Sequence, residues 1–288
     1  MGSTSPIRLE LPRPIGFVFG GGGSLGAVQV GMLKAVFERG IAPDLVVGAS
    51  IGAFNGAVVA YDPNAAVATL EEFWRNTRRE HALPLRGLKP LLHWRRTHQS
   101  LYPNIGLAQG IRRTLPNVTS FAQLALPFAA VAIDIVSGLP RVFHDGDLES
   151  ALLASSAIPG LFPPVSRDGR SYYDGGLGNG VPMRDAVAMG AKSLVVFDTS
   201  SPTADLTQPQ GLTEFVTYVT EVYSRQIVRR DIAELADIPM VYPPSPASPT
   251  LSPVDLSHTE ELLSTGYLEA AMYLDALDAI TGLSAGGY

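Results

Sequence analysis

The stretch Val46-Val47-Gly48-Ala49-Ser50-Ile51-Gly52-Ala53 constrains this chain more than any other. An apolar run ends at a serine held between two glycines, and a run that suits a helix follows. Gly-x-Ser-x-Gly at a strand-to-helix corner is a nucleophile elbow, which lifts a hydroxyl clear of its neighbours. Gly48 and Gly52 suit such a corner because side chains there would clash as the backbone reverses around Ser50. The same residues also fit a plain N-cap serine following a parallel strand. The flanking segments carry the weight of the choice.

Upstream, Ile15 to Phe19 reads as a first central strand that runs into Gly20-Gly21-Gly22-Gly23-Ser24-Leu25-Gly26. A helix is expected from Ala27 to Arg39, with Gly40 ending it. Four consecutive glycines contribute nothing to a core and cost backbone entropy. They suit a loop whose amides face an anion beside a helix N-terminus. A dinucleotide phosphate fits the Gly21-x-Gly23-x-x-Gly26 spacing, yet that motif calls for an acid at the end of the second strand. This chain has Ser50 in that region, and the Lys-Ser/Thr pair of a P-loop is missing. A tetrahedral oxyanion formed at Ser50 is the other candidate anion, and it needs preorganised amide donors.

Downstream, Arg170 to Tyr173 reads as a short strand ending in Asp174-Gly175-Gly176-Leu177-Gly178-Asn179-Gly180-Val181-Pro182. This exposes a carboxylate on a loop that can fold closely around a partner, although Asp-Gly is also a common turn pair. His144 and His258 are the histidines open to a triad reading. His81, His93 and His98 show no metal-like spacing.

Composition narrows the class. The 288 residues are 46% hydrophobic and only 17% charged, which suits buried parallel strands. A net charge of −6 argues against nucleic acid as the main partner. With no cysteine, a disulfide framework, a thiolate nucleophile and cysteine-bound zinc are excluded. No cofactor or metal is expected. Met1 to Pro14 lacks a signal-peptide pattern, and no apolar run approaches the roughly 18 residues of a membrane span. The expectation is a cytoplasmic or peripheral protein.

Helices are expected at Ile51 to Tyr61, from Pro63 onward, at Ile105 to Leu115, Asp147 to Ser155, Pro182 to Met189, Gly211 to Leu235 and Asp255 to Ile280. Strands are expected at Phe128 to Asp134, Arg141 to Phe143, Lys192 to Asp198 and Pro239 to Tyr242, and apolar loop from Ala157 to Val165. Pro243 to Pro253 reads as a surface loop, and no linker divides the chain. Arg75 to Arg96 departs from the acidic average, holding seven of the 21 basic residues against Glu80 alone. Leucines are interleaved there, and Pro84 and Pro90 are expected to break regular structure. That composition suits a cap facing an anionic lipid surface, or a solvated connector packed on the body.

In order, Gly21-Gly22-Gly23-Ser24-Leu25-Gly26, Gly48-Ala49-Ser50-Ile51-Gly52, Ala154-Ser155-Ser156-Ala157-Ile158-Pro159 with Phe162-Pro163-Pro164-Val165, and Asp174-Gly175-Gly176 with Asn179 and Pro182 together resemble the patatin-like phospholipase family. The resemblance covers about residues 15 to 200. It implies a three-layer α/β/α sandwich with a mostly parallel central sheet, and a Ser-Asp dyad hydrolysing acyl esters of lipids. By that match Ser50 is the nucleophile, Asp174 the base and Gly21, Gly22 and Gly23 the oxyanion loop, with Gly48, Gly52, Gly175 and Gly176 supporting the turns. Lipids or small esters are the implied substrates. The family usually carries Arg or Lys where this chain has Leu25, which shifts the expectation toward neutral or small esters. A lipid acyltransferase with the same dyad, and a non-catalytic nucleotide- or lipid-binding module, are the alternatives.

Overall fold

Side chains alternate between the two faces of a strand, so a sheet covered on both faces must bury every residue. Strands β1 (Ile15–Phe19) and β2 (Leu45–Ala49) do so along their whole length. The computed structural model describes residues 10–200, 208–209, 212–245 and 255–285. Between and after these strands come α1 (Gly26–Glu38), α2 (Ile51–Tyr61), α3 (Ala66–Asn76), α4 (Arg79–Ala82), α5 (Lys89–Thr97) and α6 (Ile105–Thr114). Then follow β3 (Phe128–Asp134), β4 (Pro140–Phe143), α7 (Leu148–Ser155), β5 (Val165–Arg167), β6 (Arg170–Asp174), α8 (Met183–Ala188) and β7 (Ser193–Phe197). The described chain closes with α9 (Leu212–Glu234), β8 (Met240–Val241) and α10 (Thr259–Ala285).

The strands form one sheet in which β3, β2, β1, β7 and β8 are successive parallel neighbours. β4 and β6 pair antiparallel with β3, and β5 with β6. Alternate residues feed separate cores on the two faces. Phe17, Phe19, Val46, Ala130 and Phe197 pack with residues of α1, α2, α3, α7 and α10. Val18, Val47, Ala129, Val131 and Val196 pack with residues of α8 and α9. The architecture is a three-layer α/β/α sandwich with a mostly parallel sheet.

The motif-free C-terminal segment is anchored by contact between backbones. A Cβ on Gly31 of α1 would lie 2.2 Å from the Leu263 carbonyl, and one on Gly266 of α10 would lie 2.3 Å from that of Val28. Two glycines therefore let α10 press directly on α1.

Two local expectations are corrected. Pro90 does not break structure; it sits in the first turn of α5, where a missing N–H costs no helical bond. Val165 is not loop; it opens β5 and pairs with Tyr172. Of the expected Pro243 to Pro253 loop, residues 246–253 lie outside the described residues. Among the described residues, no helix is long and apolar enough to cross a membrane.

Candidate active site

Register brings Ser50 to Asp174. On β3, Val131 pairs with Ala49 at the end of β2, and the next residue, Ala132, pairs with Asp174 at the end of β6. β4 occupies β3 from Ala130 to Ile133, so β2 and β6 must share the opposite edge. One is parallel to β3 and the other antiparallel, so they meet end to end. The residue leaving β2 thereby faces the residue ending β6.

The turn at Ser50 is tight and strained. Its backbone lies at φ 56° and ψ −129°, a region that costs a non-glycine residue on the order of 1–3 kcal/mol. A Cβ on Gly48 would lie 2.4 Å from the Gly52 carbonyl oxygen, and one on Gly52 would lie 2.3 Å from that of Gly20. Both glycines are therefore demanded by close backbone approach. The Ser50 N–H donates to Ser155 Oγ at 2.9 Å, and the Ser155 hydroxyl donates to the Val131 carbonyl at 2.6 Å. Ser155 thus ties the elbow to β3. No role for it follows from sequence beyond its place in the Ala154-Ser155-Ser156 motif, because the contact is made across 105 residues. Ser155→Ala leaves a buried N–H unpaired, with an expected cost of about 1–3 kcal/mol. A lowered urea midpoint checks it.

Ser50 Oγ donates to Asp174 Oδ2 at 2.7 Å, and the Gly176 N–H donates to Oδ1 at 2.7 Å. Ser50 is 7% exposed and Asp174 4%. Burial dominates the carboxyl's titration and raises it from 3.8 to about 6, against the opposing hydrogen bonds from Ser50 and Gly176. Gly175 lies against the Val131 carbonyl, where a Cβ would come within 2.3 Å.

Beside the pair runs the glycine loop. The Gly21 N–H already donates to the Gly180 carbonyl at 2.9 Å. The Gly22 and Gly23 amides have no partner among the described residues, which narrows the three-glycine expectation to two available donors. Gly22 sits at φ +152°, and a Cβ there would fall 2.0 Å from Thr199 Oγ1. Thr199 itself donates to the Gly21 carbonyl. Beneath the loop, Gln29 donates to the carbonyls of Gly20 and Phe197 at 2.7 and 2.8 Å. Asn55 donates to Gln29 at 2.8 Å, and the Trp74 indole donates to Asn55 at 3.3 Å. This buried network fixes the loop, and none of its members stands out in sequence. Leu25 is half-buried and packs on the core.

The histidines lie elsewhere. Phe143 pairs with Ala130, so His144 falls level with Ala129 on the far edge of β3. That is three residues, roughly 10 Å, from the level of Asp174. His258 is exposed and lies 3.1 Å from Glu261. Among the described residues, no group of three or more His, Asp or Glu side chains could hold a metal ion.

A cavity of about 210 Å³ opens next to the elbow. Ile51, Phe54, Phe73, Leu107, Gly110 and Leu152 line its apolar part, and Glu80, His81 and Arg113 its polar part.

A serine joined directly to a buried aspartate, at the carboxyl edge of a mostly parallel α/β/α sheet, defines a narrow class of protein. The family model of patatin-like phospholipases matches residues 17–187, and the chain belongs to that family. Human patatin-like phospholipase domain-containing protein 6 is 34% identical over 197 residues, 67% of this chain. Neuropathy target esterase sws of Drosophila melanogaster is 31% identical over 191 residues, 65% of this chain. The matches span only 14% and 13% of those relatives. Among solved structures, VipD from Legionella pneumophila shares the fold with a TM-score of 0.50 at 14% identity, over 92% of this chain and 67% of that one.

Proposed function

We propose that this chain is a serine acyl hydrolase that cleaves carboxylic esters of lipids, of the phospholipase A, lysophospholipase or lipase type. The observation that carries this reading is the 2.7 Å hydrogen bond from Ser50 Oγ to a buried carboxylate with no histidine between them. Asp174 takes the Ser50 proton as Oγ attacks the ester carbonyl, and the Gly22 and Gly23 amides receive the oxyanion. The tetrahedral intermediate collapses, expelling the alcohol, which takes the proton from Asp174. Water then attacks the acyl-serine, giving its proton to Asp174, which passes it to Ser50 Oγ as the acyl-oxygen bond breaks and the fatty acid departs.

An ordinary aspartate, with a pKa of about 3.9, is a weak base toward a hydroxyl. Burial strengthens this one. The helix α2 begins at Ile51, so its N-terminus adds positive potential where negative charge develops. The pair is tested by p-nitrophenyl ester hydrolysis: full activity in Ser50→Ala or Asp174→Asn would remove the proposal.

The cavity beside Ile51 suits the acyl chain, because an apolar wall next to the nucleophile accepts methylenes at about 0.8 kcal/mol each. Gly110 lies on its wall, and a Cβ there makes only an ordinary 3.6 Å contact with Phe73. Gly110→Leu is therefore expected to fold and to fill the cavity. Turnover of long-chain esters should fall about tenfold or more relative to short-chain ones, a loss of two or so methylene contacts. Unchanged chain-length preference would place the acyl group elsewhere.

A further inference from the structure

Helix α5 presents its leucines the wrong way for a soluble helix. Leu88, Leu91 and Leu92 fall at i, i+3 and i+4, one face of the helix. They are 76%, 55% and 60% exposed, while Pro90, His93 and Thr97 on the opposite face are partly buried. Arg95 continues the leucine row one turn on, with Lys89 and Arg96 alongside, and all three cations are exposed. None of the three makes an ion pair with a described residue, whereas Arg75 pairs with Glu71 and Glu260, and Arg86 with Glu80. An exposed apolar ridge rimmed by unpaired cations, in a chain of net charge −6, marks a local docking surface.

Its place in the fold connects it to the Ser50 site. Just after α5, the N–H groups of Leu101 and Tyr102 donate to the carbonyls of Gly160 and Leu161. The same loop accepts the Asp174 N–H at the Ala157 carbonyl. At the carboxyl end of β3, the turn into β4 exposes a second apolar point, Val136 at 90%, with Leu139 beside it. The turn lies at the edge of the sheet where β2 delivers Ser50, and α5 is tied through residues 101–102 to the loop that meets Asp174 there.

We propose that α5, with the 135–139 turn, is the surface by which this chain docks on an anionic lipid bilayer, leucines in the acyl boundary and Lys89, Arg95 and Arg96 among the head groups. The inference rests on the lipid hydrolase reading only for what docking achieves, namely delivery of the ester to Ser50. Charge complementarity selects the bilayer over a second copy of the chain, because equal cationic rims would repel each other. Leu25 leaves the glycine loop without a cation, so attraction to anionic lipid falls to the rim of α5.

The test is flotation of the Ser50→Ala chain with phosphatidylcholine vesicles, with and without phosphatidylglycerol, at low and high salt. Binding should favour the anionic vesicles and weaken as salt screens the head groups. Lys89→Glu/Arg95→Glu should reduce partition about tenfold or more, since each basic residue near the surface is worth roughly fivefold. Leu88→Ser/Leu92→Ser should reduce partition to both vesicle types. The same substitutions with Ser50 intact should leave hydrolysis of a dissolved short-chain p-nitrophenyl ester unchanged. Normal vesicle binding by both variants would overturn the proposal, as would equal binding of the parent to neutral and anionic vesicles. So would loss of a dimer in the leucine variant with vesicle binding intact, which would mark the ridge as a contact between copies. Loss of ester turnover in Ser50→Ala with no vesicle binding would retain the hydrolase and remove the docking.

Discussion

Ser50→Ala is expected to lower the rate of p-nitrophenyl ester hydrolysis by on the order of 10⁴–10⁶-fold, because in the proposed mechanism Asp174 is the base and, among the described residues, no other nucleophile is joined to it. Asp174→Asn is expected to lower it by about 10²–10⁴-fold, the usual worth of a positioned base. The two losses should not add. The hydroxyl and carboxylate act through one proton, so the double variant should be no slower than Ser50→Ala alone. His144→Ala and His258→Ala should retain full rate, since one side chain lies at the wrong level of β3 and the other is paired with Glu261. In the parent chain the rate should rise with pH through about 6, where burial has placed the Asp174 carboxyl, and level off above. A steep loss in either histidine variant would replace the dyad with a triad.

What could be read from sequence was local. Gly52 answers to the Gly20 carbonyl across 32 residues, but Gly48 and Ser50 announce an elbow because the demand on Gly48 comes from the Gly52 carbonyl only four residues on. The β1 strand and its glycine loop are legible for the same reason, as are the fully buried β3 and β7. What could not be read was set by register and by through-space contact. Nothing in the residues around Asp174 says that β6 meets β2 end to end on one edge of β3. Ser155 bonds to Ser50 across 105 residues, and the Gly21 amide is taken by Gly180, so the available donors narrow to Gly22 and Gly23 only once the fold exists. Helix α5 shows the same limit from the other side. The expected break at Pro90 hides the helix, and leucines at i, i+3 and i+4 serve a buried face or an exposed one alike. Only the burial of Pro90, His93 and Thr97 reveals which face turned outward.

Asp174→Asn is also expected to make the protein more stable while abolishing most of its activity. The carboxyl titrates at about 6 in the folded chain against 3.8 when exposed, because burial disfavours its charge. A group whose folded pKa is raised keeps its proton longer in the native state, so its contribution to stability is whole below 3.8. That contribution is lost as pH rises through about 6. Two pKa units correspond to about 3 kcal/mol, which the wild-type chain forgoes at neutral pH to keep a basic carboxylate beside Ser50. Asparagine has the same shape; its Oδ1 can accept from the Gly176 N–H and its Nδ2 can donate to Ser50 Oγ, and it carries no charge to desolvate. Urea midpoints of the two chains, taken from about pH 4 to pH 8, should therefore diverge across the window from 3.8 to about 6 and run parallel above it. Asp185 and Asp198 are also raised by burial, but they titrate in both chains, so the difference isolates Asp174. Equal midpoints at about pH 8 would mean that the carboxylate is well solvated after all. The base would then have no source of its strength, since the burial that makes Asp174 costly to fold is the same burial that lets it accept a proton from a hydroxyl.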